Sequence, residues 1–295
     1  MMNSNKEKIL LRLFSGNKQL PTLPTLFTEI NRMMANPFVS NKKIAERIMQ
    51  DQAMVTKILR LSNSALYSKR QEITSLSGAI TFLGTVTLRN LILQISLVRV
   101  FDLTHAQIPH FSVSTFWEKS LGTAYFADII TRKLSLPSSE NYYLAGLLHG
   151  IGKLMIYQFY PESFAKAVQL QMEEGLGDVA AEEQVLGVNH CDVGGYLAQS
   201  WEFKREIIDA IQHYQAPLPS HGLIVSLIRI SSLFATAAGL CFPWEDNVMD
   251  IVGDPAWGIL AGFAKDKPDV ARLTFEIGDE SVNVREAVRE LLSSN

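Results

Sequence analysis

The sequence predicts an all-α protein. Apolar residues recur at helical spacing along nearly the whole chain, polar capping residues stand just ahead of the periodic runs, and alternating strand patterns are almost absent. With 295 residues, 47% of them hydrophobic and 19% charged, the chain has the composition of an ordinary globular protein with one large core or two smaller ones.

The elements follow in order. Leu20-Pro21-Thr22-Leu23-Pro24 is a rigid, extended lead-in, and Pro24 suits the first turn of a helix through Leu26, Ile30, Met33 and Met34. Asn36-Pro37 stops that helix. Ser40 caps a second helix with Ile44, Ala45 and Ile48 inward, and Asp51 caps a third with Met54, Val55, Ile58, Leu59 and Leu61 inward. Asn63-Ser64 breaks the pattern. Ser75 caps a fourth helix that Gly84 ends, and a fifth runs from Val86 to Val98. Further helices are expected over Phe116–Ile130, Tyr142–Phe159, 162–172, 178–186, 190–200, 204–214 and 222–238. Pro243, Gly253, Pro255 and Pro268 mark loops before a closing helix, Val282–Leu292. The polar stretch Leu103–Pro109 is the expected junction, giving blocks at 1–105, 106–215 and 216–295. No internal repeat, low-complexity tract or flexible linker is evident.

Several classes of protein are set aside by composition. Cys191 and Cys241 are too few for a disulfide framework and form no CxxC pair. No basic-then-apolar signal segment opens the chain, and no run of about 18 apolar residues is long enough to span a bilayer. A cytoplasmic protein without membrane contact is expected. The net charge of −3 conceals a split: residues 1–102 hold 14 Lys+Arg against 6 Asp+Glu, and the remainder holds 13 against 24. The basic residues are scattered, which fits solvated helix faces better than a nucleic-acid surface. Trp117 and Trp201 read as core anchors, Met33, Met34, Met49 and Met54 as core filler, and Cys191 as a buried thiol.

Three histidines suggest a site. His149 lies in the apolar run Leu147-Leu148-His149-Gly150-Ile151-Gly152-Lys153, His190 opens a helix, and His213 closes one. A lone His on an apolar helix is more often a satisfied core residue than a ligand. A hydrolytic metal centre also needs carboxylates to balance the cation and hold a nucleophilic water. Beside His149 stands Gly150, which has no side chain.

Leu144-Ala145-Gly146-Leu147-Leu148-His149-Gly150-Ile151-Gly152-Lys153-Leu154 resembles the signature segment of the HD superfamily of metal-dependent phosphohydrolases. The blocks Leu20–Pro24, Ile48–Met54, Leu59–Tyr67, Ala79–Gly84 and Leu88–Leu91 are similar to the HDOD family, in its order and spacing, from about residue 20 to about 215. The resemblance implies an HD-domain-like helical bundle with an N-terminal helical subdomain. It places the superfamily's first metal His at Lys119, its His-Asp pair at His149-Gly150, its later His positions at His190 and His213, and its last Asp near Ser232. Every carboxylate of that set is then gone, and a charged ammonium has no lone pair to offer a cation. No cofactor is expected.

What the resemblance implies is a bacterial, non-catalytic signalling or regulatory module. Its partner would be a signalling protein or a nucleotide such as a cyclic dinucleotide, with Lys119 meeting a phosphate and His149 and His213 donating hydrogen bonds. A residual metal-dependent phosphohydrolase is the alternative, and it requires His149, His190 and His213 to converge on one metal. A third reading is nucleic-acid binding through a helix-turn-helix over Ile44–Asn63, with Arg47, Lys57, Arg60, Lys69 and Arg70.

Overall fold

The computed structural model describes residues 4–15, 20–67, 72–101, 107–245, 250–265 and 269–293. Lys69, Arg70, Pro268 and part of the expected 103–109 junction lie outside them. Among the described residues there is no strand, so the all-α expectation holds.

The helices belong to two compact units. One unit holds Met1–Leu20 and Leu103–Ser281, and the other holds Pro21–Asp102 and Val282–Asn295. These units interleave along the chain, whereas the sequence suggested three consecutive blocks. A physical reason lies in the ends. Helix α1 (Ser4–Leu13) is tied within the larger unit by Lys6, whose ammonium lies 2.6 Å from Glu183 and 2.7 Å from Asp192. In the smaller unit, Lys57 Nζ donates to the carbonyls of Leu291 and Ser293 at 2.6 Å each, capping the last turn of the C-terminal helix.

The smaller unit contains α2 (Thr25–Ala35), α3 (Asn41–Ile48), α4 (Gln52–Asn63), α5 (Leu76–Val100) and the end of α15 (Val270–Leu292). Ser40, Asp51 and Ser75 accept from the backbone N–H groups of Lys43, Met54 and Gly78, as the sequence predicts. Gly84 stands inside α5 with φ 79° and ψ 166°, a conformation closed to most L residues, so the run is two helices meeting at a kink.

The larger unit is built on α6 (Val113–Lys133), which packs against α7 (Asn141–Leu148) and α13 (Gly222–Ala237). Helix α8 (Ile151–Phe159) packs on α11 (His190–Ser200), and α9 (Pro161–Glu174) packs on α10 (Asp178–Leu186). Helices α12 (Arg205–His213) and α14 (Pro255–Ala261) complete it with α1 and the start of α15. Glycines set two of these contacts. A Cβ on Gly146 would lie 2.6 Å from Ala124 Cα, and one on Gly152 would lie 2.0 Å from the His190 carbonyl oxygen. Only hydrogen at these positions lets the backbones approach so closely.

Three expectations need correction. The helix expected over Tyr142–Phe159 breaks at His149–Gly150, where Gly150 begins α8 as its N-terminal cap residue. Met49 is exposed and not core filler, whereas Met54, Trp117, Trp201 and Cys191 are buried. Two segments, Leu76–Val100 and Pro219–Ala237, are long and apolar enough by composition to cross a membrane. In the fold, 50% and 67% of their most apolar windows are buried within the protein.

Candidate functional site

The site is assembled from the larger unit alone. Helix α6 presents Lys119, the α7–α8 break presents His149 and Gly150, and α8 presents Lys153. Helix α10 brings Asp178 and Glu182 on one face at i and i+4, α11 opens with His190, and Tyr214 follows α12. Helix α13 adds Ser232 and Thr236, and a short 3₁₀ turn at Pro243–Glu245 adds Trp244 and Glu245.

Two buried lysines organise the charges. Lys119 Nζ donates to Thr236 Oγ1 at 2.6 Å and lies 3.0 Å from Glu245 Oε1. Lys153 Nζ lies 2.6 Å from Asp178 Oδ2 and 3.9 Å from Glu245 Oε1. The other Asp178 oxygen accepts from Trp244 Nε1 at 2.9 Å. Burial works against charge on both Asp178 and Lys153. The Lys153 ammonium nonetheless holds the Asp178 carboxyl below the usual range, and Asp178 and Glu245 hold Lys153 above its own. The Lys153–Asp178 pair therefore stays charged at neutral pH.

Behind it lies a second network. The His190 ring reaches Glu182 Oε2 through Nδ1 at 2.6 Å and the Tyr214 hydroxyl through Nε2 at 2.7 Å, and its backbone N–H donates to Glu182 Oε2 at 2.7 Å. Burial disfavours charge on this imidazole, but Cys191 and the Glu182 carboxylate raise it well above its ordinary value. A charged ring donates from both nitrogens, and the geometry suits that state. His149 is the opposite case. Burial, followed by the nearby Lys119, His190 and Lys153 charges, lowers it to about 3, although its Nδ1 contact with the Gly146 carbonyl at 2.6 Å pulls the other way. A neutral ring donates from Nδ1 there, and it meets Tyr214 edge-on at 4.9 Å between centroids.

The positions singled out in the sequence thus separate. Lys119, His149 and His190 gather around the cluster, Gly150 follows His149 at the α7–α8 break, and Ser232 shares a cleft wall with Lys119. His213 does not join them: its Nδ1 bonds the Asp209 carbonyl at 3.0 Å and its ring lies 4.2 Å from that of His221. Lys119 is engaged by Glu245 and Thr236. Carboxylates outside the set that the resemblance implies are also present. Asp178, Glu182 and Glu245 reach the site from elements outside the signature segment. A signal for two of them was present, since Asp178 and Glu182 share a helix face and Lys153 interrupts an apolar run.

The residues do not fit a divalent metal. A metal needs free lone pairs on carboxylates and imidazoles, and here ammonium groups cover two of the carboxylates. A Cβ at Gly150 would lie 3.3 Å from the Phe116 ring, so the place of the superfamily's Asp is packed with an aromatic side chain. Among the described residues, no three His, Cys, Asp or Glu side chains are grouped to hold a metal ion.

A cleft of about 620 Å³ opens beside the cluster. Lys119 and Arg229 line it together with Asp178, Glu245, Asp250 and Asp254. Trp244, Gln171, Ser232 and Thr236 also contribute to its wall. Arg229 Nε is paired with Asp254 Oδ2 at 3.0 Å, so both lining cations are already neutralised by lining carboxylates.

Residues 20–217 match the family model of the HDOD domain. The solved structure of an HDOD domain protein with unknown function from Geobacter sulfurreducens is 28% identical, with a TM-score of 0.84 over 98% of this chain and 99% of that one. A candidate phosphohydrolase from Shewanella amazonensis SB2B is 23% identical, with a TM-score of 0.73 over 96% and 98% of the two chains, a likeness of fold alone. An uncharacterized protein of Treponema pallidum (strain Nichols) is 29% identical over 200 residues, or 67% of this chain. The match covers 38% of that relative's own length.

Proposed function

The chain belongs to the HDOD domain family, and from that premise we propose that it is a non-catalytic regulatory module that works by binding a partner. One observation carries the proposal. Where the superfamily resemblance locates a metal centre, this chain supplies its own cations, the Lys119 and Lys153 ammonium groups, and pairs them with Glu245 and Asp178 at 3.0 and 2.6 Å. A buried ammonium satisfies a carboxylate's charge without offering the Lewis acidity or the activated water that phosphoester hydrolysis draws from a metal. The neutral His149 ring, bonded to a backbone carbonyl, supports a structural role for that residue.

Of the two partner classes that the family resemblance suggests, the charge of the cleft favours a signalling protein over a nucleotide. Lining carboxylates outnumber lining cations, and a phosphate would face four of them. The test is hydrolysis of p-nitrophenyl phosphate, its bis-ester and a cyclic dinucleotide by the full chain with added Mn²⁺. The expected result is no turnover above that of His149→Ala. Metal-dependent turnover that His149→Ala abolishes would overturn the proposal.

A further inference from the structure

Phe38, in the turn between α2 and α3 of the smaller unit, is 92% exposed, and the backbone on both sides holds it there. Pro37 fixes the chain just before it. The Phe38 N–H donates to Asn36 Oδ1 at 3.0 Å, and the Val39 N–H donates to the Asn36 carbonyl at 3.1 Å. Ser40 then caps α3. A phenyl ring kept in water forgoes the burial that stabilises most aromatic side chains, so a tied turn that holds one out points to an apolar medium outside the chain.

The charges beside the turn are a second, independent observation. Residues 32–46 hold three cations, Arg32, Lys42 and Lys43, against one carboxylate, Glu46. All three cations are exposed, and none forms an ion pair among the described residues. Lys42 and Lys43 stand in the first turn of α3, which contains no acidic residue, so they face the positive end of the helix dipole. That placement is unfavourable to the helix by itself, and an external anion relieves it. The one carboxylate on α2, Glu29, is already taken by Arg47, whose Nε lies 2.7 Å away.

We propose that the α2–α3 turn docks the protein on an anionic lipid surface, with the Phe38 ring among the headgroups and Arg32, Lys42 and Lys43 against their phosphates. Ala35, Asn36, Pro37 and Phe38 are exposed in succession, so the ring projects from a tip and not from a groove. A tip suits a fluid interface that closes around it, whereas a protein partner needs a wider apolar patch and a nucleic acid a basic groove with several stacking rings. Such contact is peripheral and needs no spanning segment. It involves the smaller unit alone and is independent of the Lys119–Lys153 cluster.

Sedimentation of the full chain with vesicles tests the site. At low salt, phosphatidylcholine vesicles carrying about 40% phosphatidylglycerol should bind half of the protein at about 1 mM lipid. Pure phosphatidylcholine should bind none, and about 0.5 M NaCl should release the protein from the anionic vesicles. Phe38→Ser should weaken binding about tenfold, and Lys42→Gln combined with Lys43→Gln about twentyfold. The double variant should melt no lower than the unsubstituted protein, because it removes two cations from a helix N-terminus. Phe275→Ser, at a ring 72% exposed on α15, should change nothing. Absence of binding to the anionic vesicles, equal binding to the neutral ones, or an equal loss in Phe275→Ser would overturn the proposal. Binding of oligothymidylate or poly-glutamate without binding of vesicles would overturn it in favour of a nucleic acid or an acidic protein.

Discussion

At the scale of single residues, the site is a set of groups whose charge states are fixed by burial and one or two neighbours. His149 is the clearest case for pH. Its value is depressed to about 3 from 6.5, so the stability it supports is complete above pH 6.5 and drains away as pH falls toward 3. Across that window it contributes a slope of about 1.4 kcal/mol per pH unit, and urea titrations of His149→Gln should lose that slope. Asp128 on α6 has the opposite sign. Burial lifts its carboxyl to about 6, against the pull of Arg132. Its neutral form suits the fold, so its contribution is full below the ordinary value of 3.8 and is lost as pH rises through 6. Asp128→Asn should therefore raise the melting temperature at pH 8 and leave it unchanged near pH 3. The Lys153–Asp178 pair allows a third test. Lys153→Met strands a buried carboxylate and should cost about 3–5 kcal/mol, and adding Asp178→Leu should restore most of it in a double-mutant cycle.

Helices were legible where their signals are local. The caps at Ser40, Asp51 and Ser75, the stop at Asn63 and the kink at Gly84 all rest on side chains and backbone angles a few residues apart. The break at His149–Gly150 was not legible, because apolar periodicity runs through it and Gly150 reads equally well as a weak helix residue. Helix α1 precedes the first strong pattern and is held by ion pairs to Glu183 and Asp192, contacts that no short window contains. The same limit hid Glu245 from the site, since it lies more than a hundred residues from Lys119. The packing of α8 on α11 yields a prediction of its own. Gly152→Ala would drive a Cβ to 2.0 Å from the His190 carbonyl and should cost about 3 kcal/mol. Gly258→Ala in α14, where a Cβ meets nothing within 4 Å, should be neutral or stabilising by about 0.5–1 kcal/mol in the same denaturation assay.

At the scale of the whole molecule, an HDOD chain has the helical frame of its family, and on the proposed reading the charges of Lys119 and Lys153 stand where a metal's would. The resemblance pointed to Lys119, Gly150 and Ser232 at the superfamily's ligand positions, but not to the ion-paired cluster, which depends on Lys153, Asp178, Glu182 and Glu245 meeting in space. On the proposed reading the native state has no metal to lose, so chelation should leave the melting temperature unchanged. Elemental analysis of the purified full chain tests the claim most directly. The expected result is no stoichiometric Zn, Mn or Fe, and no difference between the unsubstituted protein and His149→Ala. One equivalent of any of these metals, lost in His149→Ala, would contradict it.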